Sequence, residues 1–222
     1  MGEMLGNIAH QWRQPLNNVS LILQFLRDNY KNKEVSEEKI DKFINKANKH
    51  IEYMSETIDD FRNFYKPSKT QNKFFVFESI DTLLDMVKNQ YESENIKINF
   101  EYENIEITNY ENELKQALLN ILNNAKDALL SKKDIEDFDA FINISLYKNE
   151  EKMILEISNN GGNINEEILY KIFEPYFTTK FETQGTGIGL YMTKSIIETN
   201  MKGKIEVQNI INGVKFTITL NI

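Results

Sequence analysis

Two stretches near the start of the chain repeat apolar residues at alternating spacings of three and four. The first is Leu5, Ile8, Trp12, Pro15, Val19, Ile22 and Leu26, and the second is Ile40, Ile44, Ala47, Ile51, Met54, Ile58, Phe61 and Tyr65. The second series predicts a heptad seam of about seven helical turns. Ser36, in the polar segment between them, is expected to cap the second helix. Because a two-helix hairpin buries one stripe per helix, we expect two copies to complete a dimeric four-helix bundle.

After residue 73 the pattern changes to a mixture of helical periodicity and short alternating runs. Helices are predicted over about 77–93, 110–131, 165–173 and 188–200. Strands fit "IKINFEY", "FINISLY", "MILEIS", "KIEVQNI" and "VKFTITL", and "INGV" between the last two predicts a hairpin. Helices beside a largely antiparallel sheet predict an α/β sandwich, so the fold class is α+β.

The predicted domain organisation has three parts. Residues 1–66 form the helical hairpin, residues 67–73 form a linker that begins at the helix-stopping Pro67, and residues 74–222 form the α/β domain.

Composition narrows the function classes. The chain has 222 residues, a net charge of −8 and no cysteine, which argues against a nucleic-acid partner and excludes disulfides and thiolate metal sites. With only two histidines, an all-histidine metal site is not expected. The sequence has no run of 18 apolar residues, so this fragment is expected to be cytoplasmic. Its abrupt helical start leaves open a parent protein anchored in the inner membrane through segments absent from this chain.

The first candidate for chemistry is His10, in the segment "NIAHQWRQPLNN". Its neighbours on the predicted seam, Ile8 and Trp12, lie about 200° away around the helix, so His10 is expected to point outward. A neutral imidazole is nucleophilic near pH 7 and can accept a phosphoryl group, although an ordinary surface histidine satisfies the same pattern.

Two asparagines four residues apart, Asn120 and Asn124, share one face of a predicted helix. Asparagine has a low helix propensity, so a pair of asparagines on one helix face favours a functional role for them. Amide oxygens suit Mg²⁺, which takes few protein ligands and shares phosphate oxygens. The alternative is a solvated polar face.

Two further segments contain candidate phosphate ligands. "IFEPYFTTK", residues 172–180, combines aromatic residues that could simply be core with hydroxyl groups and a lysine. "GTGIGLYMTKSIIE", residues 185–198, leads a glycine loop into a helix, where backbone N–H groups can bind an anion. Its spacing matches neither a P-loop nor a dinucleotide-binding fingerprint.

Together and in this order, these segments resemble the sensor histidine kinases of bacterial two-component systems. "HQWRQPLN" is similar to the family's phosphoacceptor box, "NILNNAKDAL" to its N box and "SNNGGNI" to its first glycine box. "IFEPYFTTK" is similar to its F box and "GTGIGL" to its second glycine box. The resemblance covers essentially the whole chain and implies a GHKL-type (Bergerat) ATP-binding domain after the hairpin.

The resemblance also implies roles for individual residues. His10 would accept the γ-phosphoryl group of ATP, Asn124 would be a ligand of Mg²⁺, and Gln14 would orient a hydrolytic water for phosphatase activity toward the regulator. The implied nucleotide-binding residues are Asn120, Asn124, Asn159, Gly161, Phe173, Phe177, Thr179, Lys180, Gly185, Gly187, Gly189 and Leu190. The implied cofactors are ATP and Mg²⁺. The implied partners are a second copy of the chain and a response-regulator receiver domain, whose aspartate takes the phosphoryl group.

Three positions depart from the family pattern. Gln11 follows the histidine where the family commonly has an acid that serves as a base. Asn159 stands where an aspartate usually accepts a hydrogen bond from the adenine amino group, and Asn163 stands where a glycine is usual. These departures keep a second hypothesis open, a catalytically impaired or engineered-inactive protein that acts as a docking scaffold or a phosphatase. A third alternative is another ATPase of the same superfamily, which the preceding hairpin argues against.

Overall fold

The computed structural model of the protein describes the backbone of residues 2–32, 36–64, 70–133, 135, 137–179 and 187–222. It describes side chains over the same ranges, except for residues 2–14, 53 and 56–64. The chain divides into two compact units, one built on Met1–Lys66 and the other on Pro67–Phe177 and Gly187–Ile222. Residues 65–69 lie outside the described residues, so the domain boundaries 1–66, 67–73 and 74–222 stay a prediction.

The first unit is an antiparallel pair of long helices, α1 (Gly2–Lys31) and α2 (Glu37–Phe64). Helix α1 continues through Pro15. Ser36 caps α2 as predicted, since its Oγ accepts a hydrogen bond from the Lys39 N–H at 3.3 Å. The predicted helical hairpin is therefore confirmed.

The buried stripe of α2 differs from the predicted seam. Among the described side chains, the inward positions are Ile40, Phe43, Ala47, His50 and Met54. His50 is 6% exposed, whereas the predicted seam residues Ile44 and Ile51 are 47% and 50% exposed. The apolar surface of α2 is thus wider than a single seam, and packing against α1 buries only part of it. The seam residues Leu5, Ile8, Trp12, Ile58, Phe61 and Tyr65 have side chains outside the described residues.

The second unit contains a five-stranded sheet in the order β2-β4-β5-β7-β6. Its strands are β2 (Lys97–Tyr102), β4 (Phe141–Asn149), β5 (Lys152–Asn159), β6 (Lys204–Ile210) and β7 (Gly213–Asn221). β2 runs parallel to β4, and the other neighbours are antiparallel. All five strands were predicted from alternation, and the predicted hairpin between β6 and β7 is confirmed.

A separate two-stranded ribbon pairs β1 (Asn72–Phe75) with β3 (Glu106–Asn109). Neither strand was predicted from the sequence. Each has four residues, which is too short for an alternating pattern to stand out from a loop.

Three long segments of helix accompany the sheet. They are α3 (Val76–Ser93), α4 (Glu111–Leu130), and α6 (Gly189–Lys194) with its π-helical continuation Ser195–Asn200. Their apolar faces join the inward residues of β4, β5 and β7 in one core. The predicted combination of a helical hairpin with an α/β sandwich is confirmed.

Two predicted helices need correction. The helix predicted over 165–173 is only one turn, α5 (Glu166–Leu169). Turns follow it, ending near Pro175 and Tyr176, whose φ of 68° is incompatible with a helix. The helix predicted over 188–200 changes from α to π geometry at Ser195. Such a change of winding is uncommon and leaves no signature in apolar spacing.

Candidate functional site

Asn159 ends the inward-facing series of β5. The preceding inward residues are Met153, Leu155 and Ile157, all buried and apolar. Asn159 is 4% exposed and pairs with Ile142 on β4 and Val214 on β7, both buried and apolar. A buried polar side chain in such a row requires hydrogen bonds. Its Oδ1 accepts one from the Gly161 N–H at 2.9 Å.

Glycines on both sides of Asn159 allow the backbone to pack tightly around it. A Cβ added at Gly161 would lie 2.7 Å from Ala128 Cβ, so this turn passes directly against α4. A Cβ added at Gly213 would overlap the Asn159 carbonyl oxygen. The position of Asn159 is therefore fixed from α4 on one side and from the start of β7 on the other.

Side-chain amides anchor the loop that follows β5. Asn160 accepts a hydrogen bond from the Phe141 N–H at 3.0 Å and donates one to the Asp139 carbonyl at 2.8 Å. Asn209 on β6 accepts from the Ile164 N–H at 2.9 Å and donates to the Ile164 carbonyl at 2.8 Å. Asn163, between these anchors, is exposed and does not have a positive φ, so its side chain fits where the family usually has glycine.

Asn120 joins α4 to the start of α6. Its amide nitrogen donates to the Gly189 carbonyl at 3.1 Å and to Thr193 Oγ1 at 3.4 Å. Thr193 is fully buried and donates to the same Gly189 carbonyl at 3.0 Å. Asn120 thereby holds the end of the glycine segment in place.

Asn124 lies one turn further along α4, half-buried and on the same face as Asn120. No group of three or more histidine or acidic side chains that could hold a metal occurs in the described part of the chain. The Asn124 side chain could offer a metal one amide oxygen. That fits Mg²⁺, which keeps water ligands and shares phosphate oxygens.

The F-box segment and the second glycine segment meet through their backbones. The Tyr176 N–H donates to the Gly187 carbonyl at 2.9 Å. Tyr176 and Gly187 both have positive φ values, 68° and 65°, and a Cβ at Gly187 would overlap the Tyr176 backbone. The backbone of Tyr176 therefore lies directly against the backbone of Gly187. Lys180 and Gly185 lie outside the described residues.

The aromatic residues of this segment belong partly to the core. Phe173 is half-buried and meets Phe216 edge-on, with the ring centroids 6.4 Å apart. Phe177 and Leu190 also pack against the core, while Thr179 is exposed. Phe173 and Phe177 thus pack against the hydrophobic core, as the simpler interpretation of these aromatic residues expects. Their exposed edges stay candidates for contact with a nucleotide.

The phosphoacceptor candidates lie on helix α1. The backbone of His10, Gln11 and Gln14 is helical, and their side chains lie outside the described residues. The outward direction of His10 therefore stays a prediction. No described helix is long and apolar enough to cross a membrane.

Several contacts that build this site were not predicted from the sequence. Thr193 contacts Asn120 across 73 residues, and Asn209 contacts Ile164 across 45. Tyr176 contacts Gly187 in the next segment of the chain. Periodicity reports only which face a residue occupies, so it carried no signal for these contacts. Gly161 and Gly187 were predicted from the sequence, whereas Gly213 was not, although glycine is common where two backbones approach closely.

Comparison with known proteins decides the family. The sequence model of the histidine kinase-, DNA gyrase B-, and HSP90-like ATPases matches residues 109–222. The chain belongs to this ATPase family. The model of the His Kinase A (phospho-acceptor) domain matches residues 1–69, which include His10. The predicted resemblance to a two-component histidine kinase core is confirmed.

Curated relatives of this ATPase family member are signalling proteins. The signal transduction histidine-protein kinase AtoS of Escherichia coli is 29% identical over 226 residues, covering 100% of this chain and 35% of that protein. The two-component sensor PprA of Pseudomonas aeruginosa is 25% identical over 224 residues, covering 99% of this chain and 24% of that protein. The chain thus spans about a quarter to a third of the length of these relatives.

Solved structures agree with the family. The nucleotide-free catalytic domain of the histidine kinase ThkA is 31% identical with a TM-score of 0.61, covering 68% of this chain and 95% of that chain. ThkA in complex with the response regulator protein TrrA is 26% identical with a TM-score of 0.74, covering 99% of this chain and 61% of that chain.

The ATPase domain implies ATP binding and the phospho-acceptor domain implies dimerisation. The comparisons do not favour the alternative of an impaired scaffold.

Proposed function

We propose that this chain is the kinase core of a two-component sensor, which phosphorylates itself on His10 from ATP and then transfers the phosphoryl group to a response-regulator aspartate. The observation that carries the proposal is that one chain matches both a phospho-acceptor domain around His10 and an ATPase domain. Either match alone would fit many functions, whereas the pair supplies both the nucleophile and the nucleotide site.

The transfer requires a nucleophile and a positioned triphosphate. A neutral imidazole nitrogen of His10 attacks the γ-phosphorus, the bond from that phosphorus to the bridging oxygen breaks, and ADP leaves with the electron pair. Gln11 cannot serve as the base, so the imidazole proton must leave to another acceptor, for which water is sufficient. This differs from family members with an acid at that position, and we expect a shallower pH dependence than a base-assisted transfer would give.

The ATPase domain contributes mainly positioning. Asn124 is the proposed Mg²⁺ ligand, and Mg²⁺ when bound neutralises charge on the phosphates. Lys180 and the backbone of Gly185, Gly187 and Gly189 are proposed to hold the phosphates. Asn120 is assigned a supporting role, because its amide nitrogen is hydrogen-bonded to the Gly189 carbonyl at 3.1 Å and so orients the start of α6.

The hairpin is proposed to bring two chains together. Apolar side chains on α1 and α2 stay exposed in the single chain, and they are Leu16, Leu21, Leu23, Phe25, Ile44 and Ile51. A four-helix bundle formed with the hairpin of a second chain would bury this exposed apolar surface. A response-regulator receiver domain is the proposed phosphoryl acceptor, supported by the structure of the similar kinase ThkA with TrrA.

Regulator dephosphorylation is a proposed second activity. Gln14 lies four residues after His10 on α1, so helix periodicity predicts that the two positions share one face of the helix. A glutamine amide there can orient a water beside the regulator. Gln14→Ala is expected to slow loss of phosphate from the regulator while leaving autophosphorylation of His10 intact. Equal loss of both activities would contradict this role.

The test of the kinase function is incorporation of γ-phosphate from Mg-ATP into the purified chain. Acid-labile and alkali-stable label is expected on the unmodified chain, and it should be absent from His10→Ala and from Asn124→Ala. His50→Ala is the matched control for the histidine. Label that persists in His10→Ala, or its absence from the unmodified chain at millimolar ATP, would contradict the proposal.

A further inference from the structure

The orientation of the Asn159 amide is determined by its neighbour. The Gly161 N–H points at the Asn159 side chain, and its partner at 2.9 Å is Oδ1. Had the amide been rotated by 180°, its NH₂ group would face the Gly161 N–H and two donors would meet. The oxygen of Asn159 is therefore occupied by the backbone, and its NH₂ group points the other way.

The NH₂ group of Asn159 has an open side. Among the described residues it has no hydrogen-bond partner, and the residues that flank it in the sheet, Ile142 and Val214, are apolar. Among the described residues, only the Tyr91 hydroxyl is a fully buried side-chain polar atom without a hydrogen-bond partner. The Asn159 nitrogen, which also has no partner, is therefore not fully buried. The Asn159 nitrogen therefore keeps a solvent-accessible edge, although the residue as a whole is only 4% exposed.

Resting on the proposed function, we propose that Asn159 makes this nucleotide site select a 6-oxopurine, such as hypoxanthine or guanine, over adenine. The 6-position of adenine carries an amino group, a donor that would face the donor NH₂ of Asn159. A 6-oxopurine presents a carbonyl oxygen there, which accepts a hydrogen bond from that group. ATP stays a ligand of the site and is held less tightly.

Rotation of the Asn159 amide does not rescue adenine binding. A flipped amide would offer its oxygen to the adenine amino group, but its NH₂ would then face the Gly161 N–H. Two hydrogen-bond donors would then face each other at Gly161 instead of at the ligand. An aspartate avoids the conflict, because one carboxylate oxygen accepts from Gly161 while the other accepts from adenine.

The test compares nucleotides that differ at the 6-position. Dissociation constants of the Mg²⁺ complexes of ATP, ITP and purine riboside triphosphate are measured by isothermal titration calorimetry on the full chain. ITP is expected to bind about tenfold more tightly than ATP, since one hydrogen bond gained or one polar group left unpaired has this size. Purine riboside triphosphate, which lacks a 6-substituent, should fall between them.

Variants separate residue 159 from the rest of the pocket. Asn159→Asp should reverse the ranking so that ATP binds more tightly than ITP. ATP and ITP also differ at purine N1, which carries a proton only in ITP. This difference is present with the unmodified chain and with Asn159→Asp alike, so it cancels when their ATP-to-ITP affinity ratios are compared. Asn163→Asp, an exposed change of the same charge in the same loop, should keep the ranking of the unmodified chain.

The outcomes distinguish this proposal from the kinase function. If the unmodified chain binds ATP as tightly as ITP or more tightly, while His10 is still labelled, the base preference is wrong and the kinase function stands. If none of the three nucleotides binds to any of the three chains, the proposed function fails and the base preference fails with it. The ranking in the unmodified chain decides the question even if Asn159→Asp does not fold.

Discussion

The bond between Asn120 and the Gly189 carbonyl predicts a large difference between two nearly identical substitutions. Asn120→Asp keeps the size of the side chain but replaces the donating NH₂ with an oxygen, 3.1 Å from another oxygen. Asn123→Asp makes the same chemical change on the same helix, at a residue of similar half-buried exposure. Asn123 is therefore a matched control for the added charge and for the change in helix propensity.

The magnitude follows from what Asn120→Asp removes and what it introduces. One neutral hydrogen bond is lost, worth about 1 kcal/mol, and a half-buried carboxylate is left against a carbonyl, which costs about another 1 kcal/mol. The Gly189 carbonyl keeps its bond from Thr193, so it is not left without a donor. We expect Asn120→Asp to reduce the free energy of unfolding by about 2 kcal/mol more than Asn123→Asp does.

The assay is thermal unfolding of the full chain, followed by circular dichroism with and without nucleotide. A loss of about 2 kcal/mol corresponds to a decrease in Tm of about 4–8 °C for a domain of this size. Nucleotide affinity should fall as well in Asn120→Asp, because Gly189 begins the helix that follows the glycine segment. Equal effects of the two substitutions on Tm would refute the assigned contact between α4 and α6.

Three further predictions test separate parts of the structure. Gly213→Ala should reduce stability by about 1–3 kcal/mol and weaken nucleotide binding, because the new Cβ would overlap the Asn159 carbonyl; unchanged titration calorimetry and melting would contradict this. Burial, with a smaller contribution from Asp127, raises the pKa of Tyr91. Above about pH 10 the unfolded chain therefore loses a proton that the folded chain keeps, so stability falls as pH rises, and urea titrations of Tyr91→Phe should show a smaller fall. His10→Ala should leave dimerisation intact in sedimentation experiments, because His10 is predicted to lie off the seam, and a monomeric variant would overturn that placement.

Alternation and heptad spacing were sufficient to predict most of the architecture. The inward series of β5, Met153, Leu155 and Ile157, is visible in the sequence because one face of the strand is buried and the other is not. Asn159 continues that series, so its burial also follows from period two. The hydrogen bond that orients its amide does not, because it depends on the conformation of the turn at Gly161.

Contacts between distant segments could not be predicted in this way. Thr193 and Asn120 are 73 residues apart, and neither the buried threonine nor its bond has a periodic signature. On α2, the sequence predicted that Ile44 and Ile51 face the seam, whereas Phe43 and His50 face inward in the structure. This difference has a similar origin. Neighbouring positions on a helix differ by about 100°, so a wide apolar surface offers two overlapping stripes. The packing partner decides which stripe is buried within the hairpin.

The most direct test of the kinase function is to locate the phosphate on the chain. After incubation with Mg-ATP, peptides prepared at neutral pH are examined by mass spectrometry for the added phosphoryl group. The chain has two histidines, His10 on α1 and the buried His50 on α2, so one experiment separates them. We expect the phosphoryl group on the peptide that contains His10. Phosphate on His50 or on a hydroxyl side chain, with none on His10, would contradict the assignment of this chain as a histidine kinase acting through His10.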